Sequence, residues 1–338
     1  MTELSRRFQR GLSLVELMIA LVLGLLLTTG VISIFISSKQ SYAQQDAQAQ
    51  IQENVRFALE MIARDLRMAG YGGCAEGVNV ANTVENYSGS IMNFKDGLIG
   101  YEYDGGIANF PDDFRNSVVA NTDAVVIYTV NSSSELGVTS HNPMSATVHL
   151  NAAHDLKPGA ILLMADSNCS NIGIFVLTGP TNNNNNATTT VHNTGQTFQY
   201  DGKNYGNCTK ALKGNFDCND QSGAEHVAYS PGSSVYQMES VAYYIGTSTA
   251  DASVSSLYRK PIVGNAEEMV EGISDLQLLY GLRSGSGIKY VKANAISASD
   301  WSKVNAVRIT LTARSLSNIQ GSPLTDTFTT TVHLRNRG

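Results

Sequence analysis

Hydrophobic and polar positions divide the chain sharply at its start. From Leu12 to Ile36 runs a stretch of 25 residues in which Glu16 is the only charged side chain. At about 1.5 Å rise per residue, such a helix is long enough to cross a hydrocarbon core roughly 30 Å thick. The pattern then changes without a break. Ser41 to Gln50 is polar and free of Gly and Pro, and beyond it Ile51, Val55, Ala58, Leu59, Ile62, Leu66 and Ala69 recur at spacings of three and four. Gln52, Glu53, Arg56, Glu60, Arg64 and Asp65 fall mostly on the opposite face, so the spacing predicts an amphipathic helix. Gly70-Tyr71-Gly72-Gly73 supplies its stop. One helix from Leu12 to Ala69 would be roughly 87 Å long. Gly24, Thr28, Thr29 and Gly30 are weak helix formers where it could bend when packed against neighbours.

After Cys74 the period shortens to that of strands separated by turn residues. The expected strands are Asp123–Val130, Ala146–Leu150, Ala160–Ala165, Ile172–Leu177, Ser240–Ile245, Ser256–Arg259, Asp275–Tyr280, Val304–Ala313 and Thr327–Leu334. In the last two, Val307, Ile309, Leu311 and Ala313 alternate, as do Phe328, Thr330, Val332 and Leu334. They read as an antiparallel pair with one buried face, joined by the loop SLSNIQGSPL. Ala266–Ile273 fits helix or strand. Thr181–Thr190 reads as a polar loop or sheet insertion. The expected fold class is therefore α+β: a long N-terminal helix packed on a large antiparallel β-rich domain.

Composition narrows the function classes. Charged residues make up 15% of the 338 residues, below the roughly 25% usual in soluble domains. The net charge is −6 and no basic cluster is interleaved with aromatics, which argues against nucleic-acid binding. Four cysteines (Cys74, Cys169, Cys208, Cys218) form no CxxC pair and no zinc-finger spacing. An even count in a Gly/Asn-rich chain fits two disulfides in an oxidising compartment. Cys208 and Cys218 bracket a short polar loop and are the natural pair, which would leave Cys74 with Cys169, although three connectivities are open.

Arg6, Arg7 and Arg10 precede the apolar run, which places the N-terminus in the cytoplasm and the remainder outside. Glu16 sits inside that run, where a carboxylate costs up to a few kcal/mol and marks a functional candidate. The string Gly11-Leu12-Ser13-Leu14-Val15-Glu16, followed by an unbroken apolar helix, resembles the type IV prepilin signal (class III signal). The resemblance implies a leader of residues 1–11, cut between Gly11 and Leu12 by a membrane-embedded prepilin peptidase, followed by N-methylation of Leu12. Most members of that family carry Phe after the cut, where this sequence has Leu12. It also implies that Glu16, the fifth mature residue, faces the terminal amine of a neighbouring subunit.

Three further stretches resemble the PilW family of minor type IV pilins: Arg64–Tyr71, Leu156–Asp166 leading to Cys169 and Phe175, and Val270–Gly281 with Trp301, Val304–Ser315 and His333–Arg337. The domain division is then residues 1–11 leader, 12–69 helix (12–36 transmembrane, 37–69 amphipathic) and 70–338 extracytoplasmic domain. The implied role is assembly of the type IV pilus within a priming or tip complex. Implied partners are other minor pilins, the major pilin, the prepilin peptidase, an inner-membrane assembly platform, a cytoplasmic extension ATPase and a tip adhesin. The implied location is the inner membrane before assembly and then the fibre. Two alternatives predict different phenotypes: a minor pseudopilin of type II secretion, or a membrane-anchored periplasmic binding protein or enzyme whose leader stays uncut.

No catalytic, cofactor or metal residues are expected. The six histidines (His141, His149, His154, His192, His226, His333) are scattered and read as surface or turn residues. Asp217–Asp220 (DCND) lacks the ligand set of a calcium loop and reads as part of the disulfide-bounded loop. The glycine runs lack the lysine and strand–loop–helix setting of a phosphate loop, and GxSxG and SxxK are absent.

Overall fold

A computed structural model describes residues 13–70, 78–85, 96–104, 106–180, 186–200, 203–262, 264–285, 287–319 and 321–335. The predicted helix is one unbroken element, α1 (Leu14–Met68). It has two unlike halves. From Leu14 to Asp46 every residue is exposed, whereas Ala47, Ile51, Val55, Ala58, Ile62 and Leu66 are buried. The predicted weak point stays helical, and there Thr28 and Thr29 turn their hydroxyls back onto the carbonyls of Gly24 and Leu25. Gly70 ends the helix at φ 69°, a conformation that favours glycine.

The strands are β1 (Asn79–Asn82), β2 (Val84–Glu85), β3 (Leu98–Tyr101), β4 (Ala124–Asn142), β5 (Thr147–His154), β6 (Ile161–Ala165), β7 (Asn171–Val176), β8 (Ala187–Val191) and β9 (Thr197–Tyr200). They continue as β10 (Lys203–Asn207), β11 (Ser234–Thr247), β12 (Ser255–Pro261), β13 (Glu267–Glu271), β14 (Ile273–Ser284), β15 (Gly287–Val291), β16 (Val304–Ile319) and β17 (Ser322–His333). A ten-stranded sheet runs β1-β7-β6-β11-β4-β5-β8, with β12 on β11, β13 on β12 and β3 on β4. A four-stranded sheet runs β15-β14-β16-β17, and a small one β2-β10-β9.

The α+β class stands, with a departure from antiparallel pairing at β1, which lies parallel to β7 and bridges Phe216 in the same sense. All nine expected strands are present, several of them longer. Ala266–Ile273 contains strand β13. Gly272 then turns the chain at φ 86°, where an added Cβ would meet the Arg314 carbonyl oxygen at 2.7 Å. The expected loop SLSNIQGSPL is mostly strand, because the β16–β17 ladder continues to Ile319 opposite Ser322. The asparagines at 182–185 of the low-complexity stretch lie outside the described residues, and its later threonines form β8 against β5.

The helix packs on both sheets. One core joins Ile51, Val55, Ala58, Ile62 and Leu66 to Val125, Ile127, Val241, Tyr243 and Ile245 of the large sheet. The same core takes Leu278, Tyr280, Val307, Ile309 and Leu311 from the four-stranded sheet. On the opposite face of that smaller sheet, Thr310 meets Thr329 and Thr312 meets Thr327, as the strand period of two requires. Asp123 ties the sheets together. Its N–H donates to the Leu276 carbonyl and its Oδ2 accepts from the Leu278 N–H, each at 2.8 Å. A second core fills the other face of the large sheet with Val126, Tyr128, Leu163 and Ile174, joined by the aromatics Phe110, Phe114 and Tyr244.

Candidate functional site

The start of α1 is built by local chemistry. Ser13 is its N-cap, with extended backbone and an Oγ that accepts the Glu16 N–H at 3.2 Å. Ser13 and Glu16 have the three-residue spacing of a capping box. A carboxylate in the first turn also stands at the positive end of the helix dipole, a favourable charge–dipole placement. Glu16 is therefore suited to its place twice over, by the cap and by the dipole. Its side chain is exposed on a helix half that no other described element of the chain covers. Gly11 and Leu12 lie outside the described residues.

At the far end of α1, Asp65 leaves the polar face that the periodicity assigns it. Its Oδ2 accepts the Tyr243 hydroxyl at 2.6 Å and lies 3.9 Å from the Arg259 guanidinium. Burial, and then the Asp65 charge, push the Tyr243 hydroxyl well above its usual range. This contact locks the buried half of the helix to β11 and β12. The molecule thus presents a bare apolar rod with one carboxylate near its tip, rigidly fixed to a β-rich body.

Comparison with known families matches both parts. Residues 6–32 match the prokaryotic N-terminal methylation motif, and residues 242–334 match type IV pilus-assembly protein W. Together the two matches support a type IV minor pilin of the PilW kind. No curated protein and no solved structure matches it.

The matched stretch of this minor pilin begins inside β11 and ends just past β17. It therefore contains the four-stranded sheet on which α1 packs. The two matches point to a structural component of the pilus, and the apolar helix fits membrane anchoring. Cys208 and Cys218 are bonded to each other, with Cα atoms 5.9 Å apart. The other expected pair involves Cys74, which lies outside the described residues; Cys169 sits in a turn at φ 56°. In the bridged loop, Asp217 Oδ1 accepts the N–H groups of Asn219 and Asp220. The DCND segment of the pilin is thus a turn closed on itself. Among the described residues, no three His, Cys, Asp or Glu side chains converge in a way that could hold a metal ion.

The histidines of the pilin correct the sequence reading. His149, His226 and His333 are exposed, but His141, His154 and His192 are buried. His141 and His192 meet Nε2 to Nε2 at 3.2 Å. His141 Nδ1 accepts the Tyr229 N–H at 3.1 Å, so its proton sits on Nε2 and is donated to His192. Burial holds His141 down to about 4 and His192 to about 3. These residues are 51 positions apart in sequence, and no spacing rule would have joined them. The Ser13–Glu16 box, by contrast, carries a local signal, S-x-x-E, that apolar spacing alone passes over.

Proposed function

We propose that the chain is cut between Gly11 and Leu12, that Leu12 is then N-methylated, and that Glu16 pairs with the terminal amine of a neighbouring pilin during assembly. The carrying observation is the position of Glu16: an exposed carboxylate in the first turn of a helix whose apolar half has no cover among the described residues. In a bundle of such helices both charges would be costly alone, and removing one member of a buried pair typically costs about 3–5 kcal/mol. The pair fixes register between subunits. In this reading the β-rich domain is periplasmic before assembly, and the subunit joins other minor pilins in a complex that primes polymerisation of the major pilin at the fibre tip. The prepilin peptidase, the inner-membrane platform and a tip adhesin are its further partners.

Two measurements test this. Mass spectrometry of the mature chain should show an N-methylated Leu12 terminus; an intact Met1 would overturn the processing step. A Glu16→Ala strain should lose most surface pili while the pilin persists in the membrane. Normal piliation in that strain would overturn the pairing, and a defect confined to enzyme export would move the chain to a secretion system.

A further inference from the structure

We propose that a slot beside β11 receives a basic side chain carried on an extended segment of a partner polypeptide. One edge of β11 is shared by two strands: β6 covers Ser234–Gln237 and β12 covers Val241–Thr247. Between them, Met238, Glu239 and Ser240 have no strand partner on that edge among the described residues. The Ile262 N–H reaches across, to the Ser240 carbonyl at 2.9 Å. The antiparallel alternation turns the Met238 N–H and C=O to the same side as that carbonyl, toward the gap.

A cavity of about 270 Å³ opens there, lined by Asp65, Thr129, Glu239, Ser240 and Arg259 among others. That is room for one long side chain. Among the described residues, Thr129 Oγ1 is buried without a hydrogen-bond partner, on the helix-facing side of the sheet that it shares with Glu239. A buried hydroxyl left unpaired costs about 1–3 kcal/mol, which a ligand would recover. The charges select its sign. Asp65 is engaged by Tyr243, and Arg259 stands between Asp65 and Glu267 at 3.9 Å from each. Glu239 is the lining carboxylate without an ion pair among the described residues, and it lies directly across the ladder from Thr129. An uncompensated carboxylate beside that hydroxyl calls for a cationic donor, a guanidinium or ammonium group. The bare Met238 edge adds pairing for one peptide unit. The slot lies at the opposite end of α1 from Glu16, so its failure would leave the pairing of Glu16 untouched.

The test uses the full-length chain in detergent micelles and titration calorimetry with acetyl-Gly-Arg-Gly-amide, its Lys counterpart, and Gln and Glu controls. The basic peptides should bind saturably and about tenfold or more tighter than the controls. Glu239→Gln and Thr129→Val should each weaken that binding about tenfold with unchanged thermal melting, since one side chain is exposed and the other's hydroxyl is unpartnered among the described residues. Absence of saturation, equal affinity for the Gln peptide, or unchanged affinity in Glu239→Gln would each overturn the proposal.

Discussion

His141 and His192 carry a consequence for the response to acid. Both are held below the ordinary imidazole range, at about 4 and about 3, chiefly by burial. The unfolded chain takes up protons near pH 6.5 while the folded pair stays neutral, so stability is lost as pH falls from about 6.5 toward 4. Asp123 acts in the opposite sense. Burial raises its carboxyl to about 6, so the folded state binds a proton that the unfolded state does not, and stability is gained as pH falls from about 6 toward 4. Urea titrations of the full-length chain at about pH 7 and pH 4.5 should separate the two. His192→Gln, which can still accept the His141 proton, should reduce the acid loss by about 1–3 kcal/mol. Asp123→Asn should deepen it. An unchanged pH dependence in both variants would show that neither site governs it. None of these burials was readable from sequence, because each side chain is enclosed by segments remote along the chain.

Among the elements, α1 shows most directly what a pattern of apolar spacings can and cannot reveal. The amphipathic period places Ile51, Val55, Ala58, Ile62 and Leu66 on one face, and all five are buried. That period carries no information about what the face meets, and the structure shows two sheets instead of one. Asp65 could not be separated from its exposed neighbours by period alone, since its partner Tyr243 is 178 positions away. The β16–β17 pair was legible in face and direction. Its hairpin end was not, because Ser, Asn and Gly read as turn residues even where a ladder continues. Leu66 is fully buried against this junction. Leu66→Ala should therefore cost about 2–5 kcal/mol, read as a lower urea midpoint with unchanged slope. A cost under about 1 kcal/mol, the range of ordinary surface changes, would show that the helix is not an integral part of this core.

On the scale of the whole molecule, the first helical residue to be buried is Ala47. Everything from Leu14 to Asp46 makes no core. A chain of residues 37–338 should then be soluble and folded without detergent, with melting close to that of the full-length protein. A chain of residues 71–338, which lacks Ile51 to Leu66, should expose both sheets and aggregate. Size-exclusion chromatography and circular dichroism decide between these outcomes, and a folded 71–338 fragment would refute the shared core.

No described residue between Ile127 and Val241 belongs to the core that holds the helix. Among the described residues, the long middle of the chain meets that core through the strands that bound it, β4 and β11. In evolutionary terms it is a cassette: its loops can lengthen, shorten or be exchanged without disturbing the foot that stands in the membrane. Related chains should therefore diverge fastest in this segment, where a lineage can try new outer surfaces on an unchanged base.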